Sequence, residues 1–397
     1  MQNSMQTFDF IIVGGGITGA ALSYTLSKKG VSVLLLEKDQ ALQNATRYSY
    51  GGLPFWSGTS DLTRQLLQEG VEYYRHLGAE LDTDIQFREL DLLLTIPVGE
   101  KPKKVADSYA HFAIPPRLIN NQAACELEPL LSPWAIAGAL MVRHGHFCPD
   151  STNLGYCQAF TRQGGQIIYE QVIDLVKNGE QVTGVKTVNN IYHGHKIIIC
   201  AGGITRNLLK SAGVNVPIYF SHAEMLEVSA EHKSIQMNTL VMPAIQQRKP
   251  YEKTAGSQEN DHLWDIPGEQ LAPISFDVGA AQFKCGKIRI GQISRFVSDV
   301  ELEVSANASE QALRQAIGKI LPPLENLPAQ WYRCLIAFSR DGLPLIGEIP
   351  GSPGLHIFSG FTAPFAIVPP LATHFAHHLL EQPNQIIAQL SPTRFLS

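Results

Sequence analysis

Charge, paired cysteines and long apolar runs are all scarce in this 397-residue chain. Charged residues make up 17% of it, and 31 Lys plus Arg against 36 Asp plus Glu leave a net charge of −5. With no basic excess there is no electrostatic footprint for nucleic acid or an anionic lipid surface. No apolar run reaches the roughly 18 residues that a bilayer-spanning helix needs. The opening MQNSMQT lacks the basic and apolar regions of a secretory signal. The expected placement is cytoplasmic, with peripheral attachment to a membrane left open. The six cysteines (Cys125, Cys148, Cys157, Cys200, Cys285, Cys334) are widely spaced and form no CxxC pair. That argues against a disulfide framework or thiolate metal site and for reduced core thiols. His144-Gly-His146, His193-Gly-His195 and the helically spaced His374, His377 and His378 bring no carboxylate pattern with them. They read as solvated faces, so no metal is expected.

Against these absences stands the stretch 8–38, FDFIIVGGGITGAALSYTLSKKGVSVLLLEK. Phe8 and residues 10–13 are the short apolar run of a strand buried on both faces. Gly14, Gly16 and Gly19 follow in GxGxxG register. The first permits a tight turn, the second lets the backbone approach a pyrophosphate, and the third lets helix and strand pack closely. A helix is predicted over 17–29, stopped by Gly30, and a second strand over 31–36. Glu37 ends that strand, where a carboxylate accepts hydrogen bonds from a ribose diol. Strand, glycines, helix, strand and terminal acid in that order predict a bound dinucleotide.

Further along, 44–58 (NATRYSYGGLPFWSG) has paired glycines and hydroxyls without a period, and reads as a long ordered loop along a ligand. Helices are predicted over 61–78, 121–127, 150–163, 204–212, 309–321 and 366–381. Residues 97–117 form a Lys- and Pro-rich excursion. Residues 196–200 and then Ala201-Gly202-Gly203 make a second strand–glycine–helix junction. Strands at 219–228, 235–242, 275–278 and 287–293 suggest a mixed or antiparallel sheet. Between them 243–273 is polar and aperiodic, and is expected to be a mobile loop or insertion over that sheet.

Four separated segments share one pattern: GGGITG with Glu37-Lys38, Ala45-Thr46-Arg47 with Gly51-Gly52, 198–203, and DGLPLIG at 341–347 leading to Gly360. The closing LSPTRF at 390–395 belongs to the same pattern. It resembles the D-amino-acid oxidase superfamily of FAD enzymes, in its glycine oxidase and sarcosine oxidase branch. The resemblance spans essentially the whole chain and implies an α/β fold. A Rossmann-type FAD-binding domain, with a parallel sheet and helices on both faces, would be assembled from 1–80, 145–217 and 340–397. A substrate domain on a mixed or antiparallel sheet would take 81–144 and 218–339. The implied cofactor is non-covalent FAD, not NAD. Gly14, Gly16, Ile17, Thr18 and Gly19 would hold the pyrophosphate at a helix N-terminus. Glu37, with Lys38, would take the adenosine ribose, and Val172 the adenine. Ala45, Thr46, Arg47, Gly51, Gly52, Ala201, Gly202 and Gly342 would lie along the diphosphate and flavin. Gly360, Thr362, Ala363, Phe365 and Ala366 would pass its pyrimidine end.

The substrate half departs from the family pattern. The arginine that holds a substrate carboxylate, five residues before the DG pair, is Ile336 here. The tyrosine of the substrate sheet corresponds to Phe276. Arg340 is the first candidate for the displaced cation, with Arg333 and Arg295 as alternatives. Phe55, Trp56, Trp264, Phe276 and Phe365 are candidates to line an apolar pocket. The expected reaction is hydride removal from a CH–NH carbon of an amine or amino acid to flavin N5, with O2 or a quinone as electron acceptor. A homo-oligomer is compatible with this reading. Two other readings stay open: a 2-hydroxy-acid dehydrogenase or oxidase, which needs a base such as His222 over N5, and a flavin-binding protein without turnover.

Overall fold

The computed structural model describes residues 7–232, 235–362, 365–380 and 382–396. Two sheets organise them. The first runs Leu345–Glu348, Leu355–Ser359, Ile191–Ile199, Thr7–Val13, Val33–Glu37, Gln166–Tyr169 from edge to edge. Its first pairing is antiparallel and the other four are parallel. The strand Thr7–Val13 shows why its sequence is almost continuously apolar. Phe10 and Ile12 face a core shared with the helices Ile17–Ser27, Asp61–Leu81, Pro149–Arg162 and Val368–Leu380. Ile11 and Val13 face the other way, onto Leu175, Val182 and Val185 of a hairpin and Leu209 of the helix Thr205–Ser211. From Phe10 to Val13, alternation along a strand covered on both sides leaves no polar position.

The second sheet runs Ala329–Ser339, Ile218–Val228, Ile288–Val297, Gln270–Gln282, Leu240–Pro243, Arg88–Pro97, Ile136–His146, Gly52–Leu53. Its pairings are antiparallel except Leu240–Pro243 beside Arg88–Pro97. The helix Ala306–Ile320 seals one face with Leu313 and Ile317. The short strand Gly52–Leu53 belongs to this sheet although its neighbours in sequence serve the first. It stitches the two together.

Three differences from the sequence expectation stand out. The stretch 44–58 opens with a helical turn, Ala45–Tyr48, because the Asn44 side chain caps the Thr46 amide at 3.0 Å. The helix after Ser60 runs past Gly78 to Leu81 and ends on Asp82 in the left-handed conformation. Most consequential, 243–273 holds the helix Arg248–Ala255 and the 3₁₀ turn Asp261–Asp265. The helix start is fixed by a residue distant in sequence. Asp277, on a bulged strand, accepts the Gln247 and Arg248 amides at 2.7 and 2.8 Å. A cap supplied from another element leaves no local signal.

Candidate functional site

A cavity of about 990 Å³ lies between the two sheets, at the C-terminal ends of the parallel strands. That is the ligand-binding edge of an open α/β sheet. The volume is at the top of the roughly 300–1,000 Å³ range of small-molecule sites. One end is walled by Glu37, Lys38 and Val172, the middle by Gly14, Gly16, Ile17, Thr18, Ala45, Thr46, Ala201 and Gly202. The far end is walled by Gly52, Ile336, Arg340, Gly342, Gly360, Thr362 and Phe365. The structure thus brings together most of the residues singled out from sequence. Gly19, Arg47, Gly51, Phe276 and Ala366 do not line the cavity, and Ala363 lies outside the described residues.

The glycine turn is built as its chemistry requires. Gly14 has φ +109°, and a Cβ there would sit 2.5 Å from the Cys200 carbonyl oxygen. A Cβ on Gly19 would sit 1.9 Å from the Gly14 carbonyl oxygen. Gly16 is different: its φ is −64°, and a Cβ would meet nothing nearer than the Thr46 hydroxyl at 3.3 Å. The protein's own packing does not demand glycine at 16, but the cavity does, since any Cβ there would occupy the space in front of the helix N-terminus. The Thr46 hydroxyl accepts the Ile17 amide at 3.0 Å. The Glu37 carboxylate accepts the Gly15 amide at 2.5 Å and the Asp39 amide at 3.1 Å. The acid is therefore held at the loop between turn and second strand. Asn153, unmarked in sequence, braces the same loop by donating to the Gly15 carbonyl at 3.2 Å. These residues fit a dinucleotide diphosphate.

Residues absent from the cavity have other work. Arg47 donates two hydrogen bonds to Glu227, at 2.8 and 2.9 Å. Glu227 stands on the strand Ile218–Val228, so this pair ties the first-sheet side to the second sheet. Gly51 packs against the Phe147 carbonyl, and Ala366 lies beneath Gly70. Phe276 is 47% exposed on the outer side of its strand. Trp264 is a core residue packed among Tyr219, Phe220 and Phe338. Phe55 also lies off the cavity, leaving Trp56 and Phe365 as the wall-forming members of the expected aromatic set. Arg340 reaches the cavity, but its guanidinium lies over the Phe395 ring at 5.3 Å.

The wall opposite the glycine turn is aromatic and apolar: Tyr50, Trp56, Leu92, Tyr109, Phe112 and Met242. Trp56 contacts Phe112 edge-on at 5.4 Å, and Tyr109 donates to the Ala244 carbonyl at 2.5 Å. The 97–117 excursion thus closes one side of the cavity. His144 and His146, expected on a solvated face, are buried instead because their strand is covered on both sides. His144 lines the cavity and its Nδ1 accepts from Trp56 Nε1 at 3.0 Å. Burial pushes its pKa down to about 3, so it stays neutral and is a weak base. His222 is fully buried, bonded through Nε2 to the Asp299 carbonyl at 2.8 Å, and does not line the cavity. Cys334 lines the cavity with its thiol pushed up to about 12 by burial.

The helix Arg248–Ala255 supplies the charges that sequence reading missed. Glu252, 6% exposed, accepts from Arg248 at 2.7 Å and from the Thr362 hydroxyl at 2.8 Å. Burial raises its pKa despite those donors. Arg248 also donates to the Thr362 carbonyl at 3.2 Å. Lys249 and Lys253 line the cavity beside them.

The profile of the DAO family, FAD dependent oxidoreductase, matches residues 9–378. Among curated proteins, the 4-methylaminobutanoate oxidase (formaldehyde-forming) of Paenarthrobacter nicotinovorans is 29% identical over 218 residues. That match covers 53% of this chain and 26% of the relative, so the matched stretch spans about a quarter of that protein's length. The glycine oxidase of Geobacillus kaustophilus is 24% identical over 411 aligned positions, covering 98% of this chain and 97% of that one. The crystal structure of glycine oxidase from the same organism superposes with a TM-score of 0.79 at 20% identity, covering 99% of this chain and 100% of that chain.

Proposed function

This chain belongs to the DAO family of FAD-dependent oxidoreductases, and from that premise we propose that it oxidises the CH–NH group of an amine or amino acid bearing a large apolar substituent. The observation that carries this reading is the chemistry of the wall opposite the glycine turn. Tyr50, Trp56, Leu92, Tyr109, Phe112 and Met242 can enclose an apolar group and exclude water. Among the described residues the same wall offers no imidazole fit to remove a hydroxyl proton, because burial makes His144 a weak base and its Nδ1 is occupied by Trp56. An amine needs no such base once it sits neutral and oriented in a dry cavity. The bound FAD supplies the hydride acceptor. In this reading Gly14, Gly16, Ile17, Thr18 and Thr46 hold its diphosphate, and Glu37 and Val172 its adenosine end. Gly342, Gly360, Thr362 and Phe365 lie along the flavin, and Ile336 contributes apolar surface.

Anaerobic mixing of the FAD-loaded protein with amines, N-methyl amino acids, amino acids and 2-hydroxy acids tests this. Bleaching of the flavin by amines or amino acids with bulky side chains, and faster than by glycine, is the expected result. Bleaching by hydroxy acids alone, or by nothing, would overturn it. Readmitting air or a quinone then separates oxidase from dehydrogenase. The reduction rate is also expected to rise with pH as the substrate ammonium loses its proton. His144 protonates only near pH 3, so it should add no inflection in the window of about pH 5–8 where an unperturbed histidine titrates.

A further inference from the structure

Among the described residues, the cationic side chains on the cavity wall are Lys38, Arg248, Lys249, Lys253 and Arg340. Three are engaged. Lys38 lies 3.7 Å from Asp39 at the Glu37 end. Arg248 is neutralised by Glu252 at 2.7 Å and bonded to Thr362. The Arg340 guanidinium lies over the Phe395 ring at 5.3 Å, although its buried Nε has no hydrogen-bond partner among the described residues. Lys249 and Lys253 have no hydrogen bond or ion pair among the described residues. They share one helix face at i and i+4. Lys249 stands on the first turn, the one that Arg248 anchors to Thr362. Lys253 lies about 6 Å further along the axis. Lys249 is exposed, and the surface it presents lies on the cavity wall. Burial among surrounding groups, and then the charge of Arg248, lower its pKa, while Glu252 pulls it up. The nearby carboxylates are already taken: Glu252 by Arg248 and Thr362, and Asp277 by two backbone amides. Among the described residues, then, the Lys249 ammonium faces the cavity with no carboxylate hydrogen-bonded or ion-paired to it.

We propose that Lys249 is the residue that holds an anionic group, a carboxylate, on the molecule oxidised in this cavity. The position from which an arginine was expected is filled by Ile336, which lies on the strand Ala329–Ser339 paired to Ser221. The cation comes from a different element, the helix over the sheet. This deepens the proposed function and rests on it: the substrate is then an amino acid and not a simple amine.

The test uses FAD-loaded wild type, Lys249→Met, Lys249→Arg and Lys253→Met, each first checked for native melting. Phenylacetate and its uncharged counterpart phenylacetamide are titrated in, and binding is read from perturbation of the flavin absorption and from calorimetry. Lys249→Met is expected to weaken phenylacetate about 10- to 100-fold, the range for a lost charge-assisted contact. Phenylacetamide should be unchanged, Lys249→Arg should retain most of the phenylacetate affinity, and Lys253→Met should change it by less than about 3-fold. Equal losses for both probes, intact phenylacetate binding in Lys249→Met, a change confined to FAD affinity, or a larger loss in Lys253→Met would each overturn the assignment. If wild type binds phenylacetate through Lys249 yet no amine bleaches its flavin, the proposed reaction fails and the anion site stands. If amines bleach it without any carboxylate preference, the reaction stands and the site fails.

Discussion

Gly19→Ala is expected to yield a chain that keeps less than about a tenth of wild-type FAD. The added Cβ would lie 1.9 Å from the Gly14 carbonyl oxygen, a backbone atom that cannot swing aside. Either the helix Ile17–Ser27 or the glycine turn must move by about an ångström. Overpacking of this kind costs about 1–3 kcal/mol or more, a factor of roughly 5 to 150 in an equilibrium constant. Helix and turn meet at the diphosphate position, so the loss should fall on cofactor retention as well as stability. Gly16→Ala is the informative contrast. Its Cβ meets only the Thr46 hydroxyl, at 3.3 Å, and its φ of −64° suits any residue. The apoprotein should melt within about 2 °C of wild type while FAD binding weakens. Flavin absorbance per chain after gel filtration, with thermal melts of both apoproteins, reads the two effects. Full FAD occupancy in Gly19→Ala, or equal destabilisation by both, would contradict this account.

Glu227→Gln should be the most damaging single change away from the cavity. Glu227 accepts from Arg47 at 2.8 and 2.9 Å and from Arg289 at 3.0 Å, and Lys287 stands 3.6 Å away. The Arg289 side chain is 1% exposed. Asp150, at 3.5 Å from Arg47 and 3.4 Å from Arg289, would be left as the one carboxylate among three cations. Breaking a buried pair by removing one partner costs about 3–5 kcal/mol, and the part-exposed Arg47 places this case at the low end. Burial alone would raise the Glu227 pKa, but Arg47 and Arg289 outweigh it and bring it down to about 2. A carboxylate depressed in the folded state contributes stability in full above its unfolded pKa near 4.5. That contribution is lost as pH falls through about 2. Acid unfolding of wild type should therefore steepen in that interval, and the Gln variant should lack this component. Denaturant melts at several pH values would show it. Superimposable pH dependence would mean the network carries no net stabilisation.

The first sheet was legible because its signals are local. A buried strand, the positive-φ Gly14, Gly19 packed on the Gly14 carbonyl and an acid at a strand end all fall within 8–38, and the two glycines are imposed by backbone sterics within a few residues. The second junction at Ala201-Gly202 and the DG turn at 341 were legible for the same reason. The charged wall of the cavity was not. Arg248, Lys249 and Glu252 sit in a polar stretch with no period, and their helix starts where Asp277, on a strand nearly 30 residues later, receives its first amides. His144 was misjudged because alternation along a strand says which residues share a face, but not whether a helix, a loop or water lies over it.

The sequence by itself determined the dinucleotide half of this protein: the order of strand, turn and helix, the need for glycine at 14 and 19, and Glu37 at the second strand's end. These follow from the conformational reach of single residues and their immediate neighbours. Only the tertiary structure decided what meets the substrate. It turned Arg47 to Glu227 and away from the cavity, left Phe276 half in solvent, and stacked Arg340 on Phe395. It also put Lys249 on the wall of the same cavity as Ile336. Those outcomes depend on which surfaces of distant segments come to rest against one another. A side chain's partner across two sheets is settled by packing over the whole molecule, which no window of sequence contains.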